Sequence, residues 1–326
     1  MTHEKNDRPG GGMTRRGLLR LTGAAAAAAG VGAYLGIDAT PAAAKPFYRA
    51  HGPLLTSGYQ TWLDAIHNQG ANLAKVVTGW GLGSSWSSAP DFVWTACGAT
   101  DYLIVRTTTG DTTQMIDANQ AIAEIRGSRF FEYKAARSGP GKCIIEIGNE
   151  PNAGGNDAWV YGANLSTTID RLRTEFPGAL ICGTALSPNK GVNPDAWYNN
   201  DNYKAAVAKC DFVGVHFYSN DPNGSFTRQG DVNELTYAET LQRAAARWPG
   251  KPVIATEYSI REPRMTPHDK GYKYASLIHF DDSVAGNLWG ATYYHVQTDP
   301  SGPDPNENVG SGGAVGYRER LNAGGL

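Results

Sequence analysis

Two apolar runs in this chain carry a glutamate where they end, and carboxylates so placed suit proton transfer or nucleophilic attack. The first run reads Ile144-Ile145-Glu146-Ile147-Gly148-Asn149-Glu150-Pro151-Asn152, and the second reads Pro252-Val253-Ile254-Ala255-Thr256-Glu257-Tyr258-Ser259. A charge in a buried strand has no packing role and is costly if unpaired. A carboxyl at each of two strand ends matches reactions in which one acid protonates a departing oxygen while a second carboxylate attacks carbon. Cleavage of a glycosidic bond is such a reaction.

Further chemistry lies nearby. His216 and Tyr218 in Val213-Gly214-Val215-His216-Phe217-Tyr218 are two apart, so they face the same side of a strand. They read either as site residues or as satisfied core polars. Glu146 shares the parity of Glu150 but lies four residues deeper, so the expectation is a buried pair with Lys75 or Arg106. Arg106 could instead contact a substrate or Glu257. Trp80 and Trp86 follow a β-rich run and offer flat faces for sugar rings, while His51 and His295 sit near strand ends as possible subsite donors.

The elements that must position these groups alternate. Strand-like runs cover Tyr48 to Leu55, Leu73 to Gly79, Tyr102 to Thr107, Cys143 to Gly148, Leu180 to Thr184, Phe212 to Phe217, Val253 to Glu257 and Asn287 to Tyr294. Helical patterns fall at Tyr59 to Gln69, Ile116 to Arg137, Asp157 to Phe176, Asn202 to Ala208, Asn233 to Trp248 and Pro267 to Ser283. The segment from Thr298 to Leu326 reads as a loop plus a final short element. Eight strands over residues 45–326 predict a single α/β domain, a (β/α)8 TIM barrel, with Glu150 and Glu257 at its C-terminal mouth. A doubly wound sheet would carry its ligand loop after the first strand, whereas here the fourth, sixth, seventh and eighth strand ends bear the chemistry.

Asn149-Glu150-Pro151 closing the fourth strand, with Glu257 closing the seventh, resembles glycoside hydrolase clan A. The resemblance runs from about residue 48 to 296 and implies a retaining (β/α)8 enzyme acting on a poly- or oligosaccharide. It implies Glu150 as acid/base, Glu257 as nucleophile, and Asn149 as the hydrogen-bond partner of the sugar 2-hydroxyl. His216 and Tyr218 match the clan's sixth-strand pattern, with Tyr218 donating to Glu257. Trp289 resembles the tryptophan on which the sugar beside the scissile bond stacks, although ordinary core is also open to it. Gly148 stands where several endo-glycanase families of the clan have Trp. A non-catalytic carbohydrate-binding barrel at the cell surface is the alternative, but it has no need of both carboxylates.

Composition narrows the classes. The net charge of −2 provides no basic surplus for nucleic acid. No Cys-rich cluster, His-Glu-x-x-His run, phosphate loop or dinucleotide fingerprint is visible, so neither a metal nor another cofactor is expected. The four cysteines, Cys97, Cys143, Cys182 and Cys210, fall near the beginnings of strands. Disulfides Cys97–Cys143 and Cys182–Cys210, or free buried thiols, both fit that placement. Residues 1–44 read as an address: Arg15-Arg16 precedes an Ala- and Gly-rich apolar run that ends in Ala42-Ala43-Ala44, which resembles a bacterial twin-arginine signal. The run is too short for a stable membrane anchor. The expectations are export by the twin-arginine machinery, a secreted monomeric barrel, and carbohydrate as its partner.

Overall fold

The computed structural model describes residues 49–54, 71–78, 100–219, 234–262, 264–277, 287–293 and 310–323. All belong to one compact unit, Pro46–Leu326. The signal-like segment, the helix expected over Tyr59 to Gln69, the Trp80 and Trp86 loop, Cys97 and His295 lie outside the described residues.

Eight parallel strands follow one another around a ring: β1 Ala50–Pro53, β2 Leu73–Val77, β3 Tyr102–Arg106, β4 Cys143–Glu146, β5 Leu180–Cys182, β6 Val213–Ser219, β7 Val253–Ile260 and β8 Leu288–Tyr293. Regular ladders join β2-β3-β4-β5 and β1-β8-β7-β6. At the two seams, among the described residues, single parallel bridges run between edges, Leu54 to Lys75 and Cys182 to Phe212. The architecture is the TIM barrel. Nearly every strand residue is buried, as expected when helices cover one face and the barrel interior takes the other.

Side chains alternate between those two environments. Ala74, Val76, Leu103, Val105, Ile145, Val215 and Phe217 join the main hydrophobic cluster with the helices. The intervening residues turn inward, which assembles Lys75, Arg106, Glu146 and His216 on the inner wall. β7 requires a correction to simple alternation. Ala255 pairs with Val215 and Glu257 with His216, so Thr256 is an extra residue in a β-bulge. Without it Glu257 would share the outward face of Val253 and Ala255. The bulge takes the Thr256 carbonyl out of regular pairing, and Lys75 Nζ (3.0 Å) and Thr292 Oγ1 (2.5 Å) donate to it.

The helices begin where capping residues permit. α1 Ala118–Gly127 and α2 Arg129–Ser138 divide the single helix expected over Ile116 to Arg137. Ser128 causes the break, because its hydroxyl caps Phe131 N–H while its own N–H closes α1 on Ile125. α3 Ala158–Glu175 starts from Asp157. A short helix not anticipated from sequence, α4 Pro194–Asn199, precedes α5 Asp201–Ala208. α6 Tyr237–Arg247 begins later than Asn233 because Thr236 and Glu239 form a capping box. α7 Pro267–Ser276 packs on α8 Gly310–Asn322, the final element. A Cβ on Gly271 would stand 1.9 Å from the Gly313 carbonyl, so that crossing requires glycine. Tyr258, Tyr274, Tyr293 and Tyr317 form a chain of ring contacts that fastens β7 and β8 to these helices.

Cys143, Cys182 and Cys210 are free and buried, the second of the two states that the sequence leaves open. Burial pushes the Cys143 and Cys210 thiols up to about 12. These groups behave as small apolar core residues.

Candidate active site

The end of β4 leaves the ladder through a turn of unusual backbone. Gly148 has φ +69° and Glu150 φ +42°, both in the left-handed region. A side chain at 148 would come within 2.5 Å of Tyr161 Oη and 2.6 Å of the Gly110 carbonyl. That contact, rather than substrate shape, accounts for glycine at this position. The turn is pinned by hydrogen bonds from Asn149 N–H to the Gly110 carbonyl (3.2 Å) and from Glu150 N–H to the Ala185 carbonyl (3.0 Å). A non-glycine residue held at positive φ is stored strain, found where a side chain must be aimed.

Glu257 and Glu150 meet inside the mouth. Glu257 is buried, and its Oε1 accepts from Arg106 Nη1 at 2.6 Å and Lys75 Nζ at 3.3 Å. Its Oε2 accepts from Tyr218 Oη at 2.8 Å. Glu150 Oε1 lies 2.8 Å from His216 Nδ1 and accepts from the same Tyr218 hydroxyl at 3.1 Å. Two carboxylate oxygens sharing one hydroxyl at such distances lie less than about 6 Å apart. The Glu150 side chain is 16% exposed and that of Glu257 5%, so Glu150 is the carboxyl more open to solvent.

Electrostatics act strongly on Glu257. Burial alone would raise the Glu257 carboxyl, but His216 when its ring carries a charge, and Lys75 and Arg106 whether or not it does, oppose it, and the Tyr218 hydrogen bond adds to them. Together they hold the Glu257 carboxyl far below the usual carboxylate range, so it is an anion at neutral pH. Tyr218 is pushed well up by burial and then by the two glutamates, which keeps it a hydroxyl donor. Arg261 lies over the Tyr218 ring, 4.0 Å from its centre.

The remaining site residues divide into those that converge and those that do not. Asn149 joins the cluster: Arg106 Nη1 donates to its Oδ1 at 2.5 Å, which turns the Asn149 amide nitrogen away from Arg106. Arg106 therefore bridges Asn149 and Glu257, and Lys75 is the partner of Glu146 at 2.8 Å. Lys75 also reaches Glu257, a role the sequence reading missed, and its lysine at an inward strand position was the available signal.

Trp289 is a correction. It is the second residue of β8 and packs on Tyr102 at the start of β3 (5.0 Å) and on Phe212 just before β6 (4.8 Å). Those contacts plug the N-terminal end of the barrel, opposite the mouth, so Trp289 cannot stack on a sugar beside the carboxylates. His51 is a second correction: its Nδ1 lies 2.5 Å from Tyr317 Oη on α8, in the helix layer. Trp80 falls outside the described residues. Among the described residues no three His, Cys, Asp or Glu side chains are grouped as a metal site would need.

No protein-family model and no curated protein matches this sequence. Solved structures do resemble it in fold. A GH128 (subgroup VI) exo-β-1,3-glucanase from Aureobasidium namibiae superposes with a TM-score of 0.51 at 13% identity, over 81% of this chain and 91% of that one. A GH5_18 protein from Bifidobacterium longum subsp. infantis gives 0.52 at 13% identity, over 85% and 79%. A glucosidase from Croceicoccus marinus gives 0.55 at 13% identity, over 84% and 67%. At such identity the likeness is one of fold, and these folds are the barrels of glycoside hydrolases.

Proposed function

We propose that this chain is a retaining glycoside hydrolase acting on a poly- or oligosaccharide, with Glu257 as nucleophile and Glu150 as acid/base. The observation that carries this reading is the shared Tyr218 hydroxyl, which ties a buried, ion-paired carboxylate to a more exposed carboxyl at close range. Glu257 attacks the anomeric carbon as an anion, while Glu150 passes its proton to the departing oxygen. The C–O bond to the leaving group breaks as the bond from Glu257 forms. Glu150, now a carboxylate, takes a proton from water as that water displaces Glu257, which restores both groups. Asn149 offers its amide nitrogen to the sugar 2-hydroxyl, and Arg106 fixes the amide in that orientation. No cofactor takes part in this scheme. The same reading includes delivery outside the cell through the twin-arginine segment, release as a soluble monomer, and a cell-wall glycan as partner.

The test is hydrolysis of a panel of aryl glycosides and polysaccharides, β-1,3-glucan among them, with NMR of the first anomer released. The expected result is product of retained configuration, turnover unaffected by EDTA, and loss of several decades of kcat in Glu257→Ala. An inverted first product would reassign Glu257 as a general base. Sugar binding without turnover would make the barrel a binding module.

A further inference from the structure

Behind the two carboxyls lies a third, and the catalytic scheme above leaves it unused. Glu146 is wholly buried on β4, and its Oε2 is held by Lys75 Nζ at 2.8 Å as an ion pair, off the hydrogen-bond direction. Its Oε1 faces His216 Nε2 at 4.0 Å. Neither of these two facing atoms has a hydrogen-bond partner among the described residues. The opposite ring nitrogen, Nδ1, lies 2.8 Å from Glu150. Glu146, His216 and Glu150 thus stand in line, with the imidazole between two carboxyls.

We propose that Glu146 is a positioning residue that fixes the tautomer of His216 and through it the proton of Glu150. A carboxylate facing Nε2 favours the hydrogen there, which leaves Nδ1 as a lone pair. An Nδ1 without hydrogen cannot donate to the Glu150 anion. Among the described residues the other side-chain donor to that oxygen is Tyr218, whose one hydrogen is shared with the nearer Glu257. The protonated form of Glu150 loses nothing by this, and it is the form that donates to a leaving group. The opposite tautomer would place N–H on Glu150 and favour its anion.

All charged or titratable neighbours of the ring enter this account. Glu257 on β7 also faces the ring, with its Oε2 3.7 Å from Nδ1, but it is paired with Lys75 on β2 and Arg106 on β3, and Lys75 pairs with Glu146 on β4 as well. Tyr218 lies on β6 at 3.5 Å from Nδ1, and the thiol of Cys182 on β5, pushed well above its ordinary value by burial, adds no charge. Without its charge the residue at 146 no longer selects Nε2–H. Glutamine there would turn its oxygen to Lys75 and its NH2 toward the ring, which favours hydrogen on Nδ1.

The inference rests on the glycosidase reading for its kinetic consequence but not for its structural one. The first measurement is a 15N spectrum of histidine-labelled protein at neutral pH, with the His216 signals assigned by His216→Asn. The expected wild-type form is neutral with hydrogen on Nε2, changing to Nδ1–H in Glu146→Gln. A wild-type ring carrying hydrogen on Nδ1, or on both nitrogens, would overturn the proposal, with no variant needed to fold. The second is the pH profile of kcat/KM, in which Glu146→Gln should move the alkaline limb down by about 1 pH unit. An unmoved limb in a folded, active variant would also overturn it. Absence of any glycosidase activity in the wild type would count against the function alone, because the spectrum reads the tautomer directly.

Discussion

Tyr218 is the residue on which the two carboxyls depend together. Its hydroxyl donates to Glu257 in the resting site, and Glu150 accepts the same hydrogen less closely. In the proposed cycle the negative charge passes from Glu257 to Glu150 when the glycosyl ester forms, and one hydroxyl can follow it. Removing that donor takes away one of the interactions that keep Glu257 low, so its carboxyl must rise toward ordinary values. The sign is definite: the acid limb of kcat/KM in Tyr218→Phe moves to higher pH. The plateau is expected to fall by about 10- to 100-fold, because a single donor to a reacting group is lost. A pH–rate profile of the two proteins decides it, and a limb left in place would remove Tyr218 from its role.

Single residues act only because elements aim them, and two departures from regular strand do the aiming. One is the bulge at Thr256 that brings Glu257 to the inner wall. The other is the turn after β4, where Gly148 passes between Tyr161 and the Gly110 carbonyl. Gly148→Ala places a methyl in that gap at a backbone angle that L-residues rarely adopt. The expected cost is about 1–3 kcal/mol of stability. Activity should fall more than 10-fold, because Glu150, two residues on, swings with the turn. Thermal unfolding and kinetics measured side by side test this, and a variant of wild-type stability and activity would show the turn to be slack. A neighbouring clamp supports the same face. Glu124 on α1 accepts from Thr78 Oγ1 (2.7 Å), Thr108 N (2.6 Å) and Thr109 N (3.2 Å), tying the ends of β2 and β3 to one helix.

At the scale of the molecule, the free thiols bear on where folding happens. Cys143, Cys182 and Cys210 are buried and free, so none of these three is held in a disulfide that would call for an oxidising compartment. A protein exported already folded needs that independence, and the twin-arginine reading of residues 1–44 requires it. Replacing Arg15 and Arg16 by Lys is expected to leave the precursor inside the cell with its activity intact. Fractionation followed by assay checks both halves. Undiminished export would dismiss the signal reading, and an inactive retained precursor would show that the barrel needs the outside to fold.

Sequence alone was enough for the order of the strands and for the glutamates that follow β4 and lie in β7. Alternation of apolar runs with amphipathic stretches is a local property, and a carboxylate among β-branched residues stands out without coordinates. The partnership of Lys75 with Glu146 was also legible as one of two options, because both occupy inward strand positions. Tertiary structure decided the rest, for reasons no local pattern carries. Simple alternation from Ile254 would have turned Glu257 toward the helices, and only pairing with β6 reveals the extra residue that turns it back. Trp289 could be placed on β8 from sequence, but its depth along the barrel follows from the register of β8 against β7, which puts its neighbour Leu288 beside Val253, four residues before Glu257. Likewise the cysteines lie near strand starts as expected, yet whether two thiols meet depends on which way each strand presents them. Cys143 joins the helix layer, where its Sγ lies against the Phe131 carbonyl at 3.8 Å, and Cys182 points toward Gly214 of the next strand. Composition names the groups a site can use, while register and bulges, set by contacts between distant strands, decide which of them meet.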